Sequence, residues 1–381
     1  MHQSIAKTQA NNIKLPYPII FIHGLNSNAE TWIGTTFSFM TPQYALVNGG
    51  RFDYCLNFDG NNSLANVNAY PTVGADIALF NGTWIAGDFY YVNFDVGIDG
   101  AFNPAALASN QVLSNQSAIV KQGKALRDAI YRVLQLTGRD KVILMGHSMG
   151  GLAAREYLQN PINWQPDGQA HVAKLATTGT PHAGSNATSF GLVSSNTEGQ
   201  SEAIRDLRRT YYYSGNYGVY LFGGQENLPY MDDQLCCYFF NSDVNCNGTV
   251  QTNIVGLNQK SLYSNLDYSC IIGECSGCVG TTNPGDGIVW DICANLNTLY
   301  ANATTNLFYY YASAAVEIHT DLPAQYYHNM QGLDEPEYFN LAYRVGFDST
   351  YTAFMTVPAA TDLIFHTMSM YLSSLYQQQV R

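Results

Sequence analysis

Charge is scarce in this 381-residue chain: only 12% of its residues are Asp, Glu, Lys or Arg. Cations are the scarcer kind, with 17 Lys and Arg against 29 Asp and Glu and a formal net charge of −12. Nucleic acid is thereby excluded as a partner, because phosphate backbones are gripped by clustered Lys and Arg. The same acidity disfavours anionic membranes while leaving a neutral lipid surface open. No apolar run reaches the ~18 residues that a membrane-crossing helix needs. Met1-His2-Gln3-Ser4 opens the sequence without a hydrophobic leader core, so the chain reads as cytosolic or as a mature form whose leader has been removed.

What is present is a sizeable core and an unusual cysteine distribution. The apolar fraction is 46%, enough for one large domain with insertions or for two small ones. Tyr (28) and Gly (33) are plentiful while lysine is not, a balance that suits an extracellular setting. Eight cysteines occur, and seven of them (Cys236, Cys237, Cys246, Cys270, Cys275, Cys278 and Cys293) crowd into residues 236–293, with Cys55 apart. This crowding predicts disulfides that brace an irregular insertion in a secreted protein. The spacing of Cys270, Cys275 and Cys278 also mimics an iron–sulfur run, but the density around it favours disulfides. Asn-x-Ser/Thr sequons begin at Asn61, Asn81, Asn115, Asn186, Asn247 and Asn302, and would carry glycans only in a eukaryotic host. Asp243-Val244-Asn245-Cys246-Asn247-Gly248 imitates half of a calcium loop, but Ile254 stands where the closing Glu should be.

The chemistry concentrates in residues 141–151, Lys-Val-Ile-Leu-Met-Gly-His-Ser-Met-Gly-Gly. An apolar run enters a G-x-S-x-G box, Gly146 to Gly150, and helix formers follow from Leu152 to Glu156. Strand, sharp turn and helix form the setting in which a serine hydroxyl is held above the carboxyl end of a sheet as a nucleophile. Upstream, Pro18-Ile19-Ile20-Phe21-Ile22 reads as a buried strand ending in His23-Gly24-Leu25 and a polar loop. Downstream, a strand over 172–178 runs into Thr180-Pro181-His182-Ala183-Gly184-Ser185.

Other elements follow from periodicity. Residues 26–88 read as polar, Gly/Asn-rich and aperiodic, and Phe89 to Phe94 as a strand. Ile119, Gly123, Leu126, Ile130, Val133 and Leu134 place one apolar face on a helix over 115–136, which Gly138 stops. Residues 252–257 and 307–318 regain strand character, and 361–376 looks helical. Alternating strands and helices predict a mostly parallel sheet with helices on both faces.

The His-Gly loop, the Ser148 box and the T-P-H-x-G-S loop stand in the order found in the α/β-hydrolase family, and the chain resembles its secreted lipases and esterases over roughly residues 15–190. The resemblance implies a single α/β-hydrolase domain over 1–381, with a Tyr- and Cys-rich lid or cap insertion at 186–250. It implies Ser148 as nucleophile, with an acid and then a histidine downstream. Asn283-Pro284-Gly285-Asp286-Gly287-Ile288-Val289 is similar to the family's acid loop and puts Asp286 in that role, with Asp291 as competitor. His319 closes a strand-like run as the family's base does; His328 is its rival, and His366 lies within a helical stretch. The amides of Leu25 and Met149 take the oxyanion-hole positions. His23, His147 and His182 are expected to be structural. Asp267 and Asp321 fall near the spacings at which some relatives bind a structural calcium, so that ion is a candidate; no cofactor is required for the chemistry.

The implied activity is carboxylic-ester hydrolysis on an ester or lipid substrate, at a lipid–water or polymer surface. A polyester or polyhydroxyalkanoate depolymerase, an acyltransferase using the same triad, and a non-catalytic ligand-binding relative are the alternatives.

Overall fold

The computed structural model describes residues 13–25, 27–32, 36, 46–56, 67–70, 84–94, 116–185, 202–207, 219–227, 243–264, 266–275, 285–286, 288–304 and 306–312. Eight strands form one sheet: β1 (Ile19–Ile22), β2 (Asn48–Leu56), β3 (Val67–Tyr70), β4 (Phe89–Asn93), β5 (Val142–His147), β6 (Val172–Thr178), β7 (Asp267–Cys275) and β8 (Asn306–Ala312). Their order is β3-β2-β4-β1-β5-β6-β7-β8, parallel throughout except where β3 turns back on β2. All the carboxyl ends from β2 to β8 therefore lie along one edge. The central strands are buried on both sides, which is why β1 and β5 read as unbroken apolar runs.

Period-2 alternation sends side chains to opposite faces. Ile20, Ile22, Leu144, Val92, Phe52 and Tyr54 enter the main core with α1 (Ile119–Thr137) and α2 (Met149–Gln159). Phe21, between the two isoleucines, instead packs against Trp32 (ring centroids 5.0 Å apart), Tyr91 (6.0 Å) and Phe89 (6.3 Å). Helix α1 ends as the sequence predicts: Gly138 adopts φ 64° and donates its N–H to Leu134 O.

The amino end of α1 needs help from elsewhere. Ala118 cannot cap it with a side chain, so two carboxylates of the short helix α3 (Glu202–Leu207) do so. Glu202 Oε2 accepts the Ala118 N–H at 2.7 Å, and Asp206 Oδ2 accepts the Ile119 N–H at 2.9 Å. Lys121 Nζ meets both Glu202 oxygens at 3.0 Å, and Arg205 Nε meets Asp206 Oδ1 at 2.9 Å, all in the interior. Around these charges, α3, α4 (Val219–Phe222) and residues 244–257 build a second apolar cluster. It includes Leu207, Val219, Leu221, Val244 and Leu257, and it packs on Ile119, Met149 and Leu152. The described residues of 186–250 are thus docked on α1 and α2.

Three expectations are corrected. The interval 26–88 contains β2 and β3; the Asn48-Gly49-Gly50 opening and the Arg51/Asp53 pair conceal an alternation whose apolar half is Phe52, Tyr54 and Leu56. Residues 252–257 contribute a single bridge from Ile254 to Gly224 and then a 3-10 turn, Leu257–Gln259. Cys270 belongs to β7, where its thiol is buried beside His182, and Cys246 is a buried thiol next to the Lys121 cluster. Burial pushes the Cys246 thiol up to about 12. No disulfide joins described residues, and Cys236, Cys237 and Cys278 lie outside them, as do the expected helix over 361–376 and the end of the expected strand over 307–318. The half calcium loop is satisfied internally, with Asp243 accepting the N–H groups of Asn247 and Gly248 at 3.0 and 2.6 Å.

Removing one member of a buried ion pair strands the other in a low-dielectric interior. Lys121→Met should lower the unfolding free energy by about 3–5 kcal/mol, read by urea unfolding. Lys121→Met/Glu202→Gln should recover part of that loss. A cost below about 1 kcal/mol for the single variant would show that the pair does not hold α1 to α3.

Candidate active site

Strand β5 ends at His147 and α2 begins at Met149, which leaves Ser148 alone in the turn. Its backbone is at φ 51° and ψ −128°, a region that side chains rarely adopt. The strained turn is fixed from both sides. The Ser148 N–H donates to Thr178 O of β6 at 2.9 Å, and Gly151 N–H donates back to Ser148 O at 3.1 Å. Two close approaches require glycine. A Cβ on Gly150 would stand 2.5 Å from His23 O, and one on Gly24 would stand 2.7 Å from Ser148 Cβ. The end of β1 and the turn after β5 are therefore interlocked.

The second loop carries the expected oxyanion donor. His23 is fully buried, with Nε2 accepting the Phe94 N–H at 2.8 Å, so the ring proton resides on Nδ1 and goes to Gly24 O at 2.8 Å. Burial lowers the pKa of His23 to about 4 and keeps the imidazole neutral. In a trans peptide the carbonyl and the next N–H point in opposite directions. Holding Gly24 O against His23 thus turns the Leu25 N–H away from it. The other expected donor, Met149, is the first residue of α2, where unpaired amides and the helix dipole favour negative charge. Leu25 and Met149 also share the second apolar cluster, so the insertion packs directly beside the expected hole.

Asp286 sits on the loop that follows β7. It is buried, and its Oδ1 accepts the N–H groups of Ile288 and Val289 at 2.9 and 2.7 Å, while its own N–H closes the turn on Val289 O at 3.1 Å. The competitor Asp291 opens the short helix α5 (Asp291–Ala294), where Oδ1 takes the Ile292 N–H at 2.5 Å. Strand β8 brings the chain back to the same edge of the sheet at Ala312. His319, His328, His366 and Asp321 lie outside the described residues.

Asp267 opens β7 at the amino end, opposite Lys174, and their side chains pair at 3.4 Å. Four residues of strand, roughly 13 Å, separate that level from the Thr178 level at which Ser148 is held. A cation at Asp267 would lie at the far end of the sheet from Ser148, and no metal-type cluster of His, Cys, Asp or Glu occurs among the described residues. The calcium expectation gains no support from this placement, and no step is derived through that ion.

A network that the sequence did not announce lies beneath the site. Arg155, buried on α2 two turns beyond Ser148, donates to Gln159 Oε1 (2.8 Å), Asn258 Oδ1 (2.8 Å) and the Tyr300 hydroxyl (3.1 Å). Its remaining nitrogen reaches His182 Nδ1 at 3.4 Å, which leaves Nε2–H for Thr177 Oγ1 at 3.1 Å. Burial, and then the Arg155 charge, hold the His182 pKa well below the usual value. His182 shapes its loop, as the sequence suggested. The only hint of its partners was the T-P-H motif itself.

Sheet order, the turn at Ser148 and the flanking helices are the arrangement of the α/β-hydrolase fold. Residues 101–198, which include Ser148, match the family described as a PGAP1-like alpha/beta domain. No curated protein matches the chain. Among solved structures it is similar to the lin2722 gene product of Listeria innocua, at 16% identity over 86% of this chain and 93% of that one, with a TM-score of 0.46. It is also similar to the mature lipase BlEst2 of Bacillus licheniformis (16% identity, 87% and 96% covered, TM-score 0.38). Lipase 1 of Pelosinus fermentans gives 13% identity, 87% and 99% coverage and a TM-score of 0.37.

Two predictions follow from this geometry. Between the ordinary histidine value of 6.5 and about 4, the unfolded chain binds a proton at His23 that the native state does not. Stability is therefore intact above that window and falls as the pH drops through it, by about 3 kcal/mol for this residue. His182 adds slope of the same sign. In urea titrations from pH 7 to 4, His23→Asn should show a shallower slope by about one proton, and an unchanged slope would refute the assignment. Gly24→Ala should slow the reaction of Ser148 with an organophosphonate by about a hundredfold, since a displacement of about 1 Å suffices for that.

Proposed function

We propose that the chain is a serine carboxylic-ester hydrolase of the lipase/esterase kind, working through Ser148, Asp286 and His319. The observation that carries this reading is Ser148 itself, held at positive φ at the mouth of a helix and pressed against the loop that bears a second amide donor. A fold does not specify a reaction; a strained, presented nucleophile is a feature of a site.

In this mechanism His319 takes the Ser148 proton as Oγ attacks the ester carbonyl, and the Leu25 and Met149 amides bind the resulting oxyanion. The imidazolium returns its proton to the leaving alcohol. Water then attacks the acyl-enzyme by the same route and regenerates Ser148. Asp286, with one oxygen already committed to two backbone amides, cannot swing freely and orients the base with the other. Apolar side chains of the insertion beside Leu25 and Met149 suit an apolar acyl group. The low charge of the chain suits work outside the cell.

The test is hydrolysis of p-nitrophenyl esters from acetate to palmitate by the wild type, Ser148→Ala, Asp286→Asn, His319→Ala and His328→Ala. Ser148→Ala should be inactive on every ester, and Asp286→Asn should lose about 10³–10⁴ in kcat. Loss with His319→Ala but not with His328→Ala is expected. The chain-length optimum then separates lipase from esterase. A wild type silent on every ester would remove the proposal.

A further inference from the structure

One segment, Thr178 to Ser185, touches both halves of the proposed site. At its start, Thr178 O accepts the Ser148 N–H at 2.9 Å. At its end, Ser185 Oγ donates to Ile288 O at 2.5 Å, inside the turn whose Ile288 N–H holds Asp286 Oδ1. Between these points the segment is kept from shifting: Ala183 N–H donates to Cys293 O at 3.1 Å, and His182 O accepts from Asn258 Nδ2 at 2.9 Å. The Ser185 N–H in turn donates to Leu207 O of α3 at 2.7 Å.

The Ser185 hydroxyl is thus the one described side-chain contact from this segment onto the Ile288 carbonyl. The Asp286 turn spans only a few residues and takes its Oδ1 partners from its own backbone. Val289 and Ile288 anchor the turn in the main core by apolar packing, which is non-directional and resists rotation of the turn less than a hydrogen bond does. A buried hydroxyl on the segment that also grips the elbow supplies a directional reference.

We propose that Ser185 is a positioning residue, fixing the Asp286 turn relative to Ser148 and tying that alignment to the docking of α3. This rests on the assignment of Asp286 as the acid. A pivoting acid would orient the base less well and stabilise its protonated form less, so two effects are expected together: kcat falls, and the base titrates lower.

The experiment compares Ser185→Ala, Ser185→Thr, Asp286→Asn and Asp286→Asn/Ser185→Ala in full ester kinetics between pH 5 and 9, below each variant's measured Tm. Ser185→Ala should lose about tenfold in kcat at unchanged KM, with the acid limb of kcat/KM moved to lower pH. Ser185→Thr, which keeps a hydroxyl, should restore most of the rate. In the Asp286→Asn background Ser185→Ala should cost nothing further, since both act through one group. A Ser185→Ala variant with a lower Tm but unchanged kcat and pH profile would overturn the proposal, as would a full tenfold loss in the Asp286→Asn background. If Asp286→Asn itself keeps wild-type activity, the acid assignment fails and the role of Ser185 fails with it. An inactive Asp286→Asn beside a normal Ser185→Ala refutes the positioning role alone.

Discussion

The structure depends on one close approach, that of the chain leaving β1 against the turn leaving β5. Gly150 lies so near His23 O, and Gly24 so near Ser148 Cβ, that neither position has room for a side chain. This proximity is what makes a site possible: it presses the loop that leads from Gly24 to Leu25 against a serine held at positive φ. Strain of this sort survives only where the surroundings over-determine it. Here the Thr178 carbonyl, the first turn of α2 and the His23 loop all constrain Ser148.

The insertion contributes through buried charge as well as apolar packing. Helix α1 begins without a side-chain cap, and an uncapped buried helix end would leave amides unsatisfied. Glu202 and Asp206 supply the missing acceptors, and Lys121 and Arg205 compensate the charge they bring. Four buried charges with hydrogen-bond partners are costly to assemble but highly directional. The consequence is a fixed register between α3 and α1, and through Met149 and Leu25 the same layer reaches the expected oxyanion hole.

Much of this was legible in the sequence, for identifiable reasons. Strands β1 and β5 are buried on both sides, so their residues are mostly apolar, and each is followed within three residues by a glycine, Gly24 or Gly150, that the close approach demands. Helix α1 shows its face at regular spacing and its end at Gly138. Strand β2 was hidden because its polar face is itself buried, with Asp53 accepting from Asn93 Nδ2 at 2.6 Å and pairing with Arg51 at 3.0 Å. Strand β7 was hidden because Asp267, Gly273 and Glu274, residues depleted in strands, break up the signal of Tyr268, Ile271 and Ile272, and its pairing with β6 and β8 decides the matter. The cysteines there were read as disulfide partners, whereas Cys270 fills a core position beside His182. Tertiary pairings such as Ser185 with Ile288, or Arg155 with Tyr300, leave no local trace in a sequence.

The histidines show how burial narrows the chemistry. A general base must reach the serine proton and accept it near neutral pH. His23 has both ring nitrogens engaged, one accepting from Phe94 and one donating to Gly24, and burial holds its pKa at about 4. His182 is likewise spent between Arg155 and Thr177, with its charged form opposed by burial and by the guanidinium. His171 lies at the amino end of β6, the opposite end of the strand from Thr178 and Ser148, between Asp140 O at 2.5 Å and Asp167 Oδ2 at 2.7 Å. His147 precedes Ser148 on β5, and its ring meets that of Trp32 in a T-shaped pair with centroids 6.4 Å apart. Each of these four is placed to support the scaffold. Under the proposed mechanism the base is sought among the histidines that follow β8, the strand that returns the chain to the carboxyl edge of the sheet at Ala312, and His319 is the one proposed.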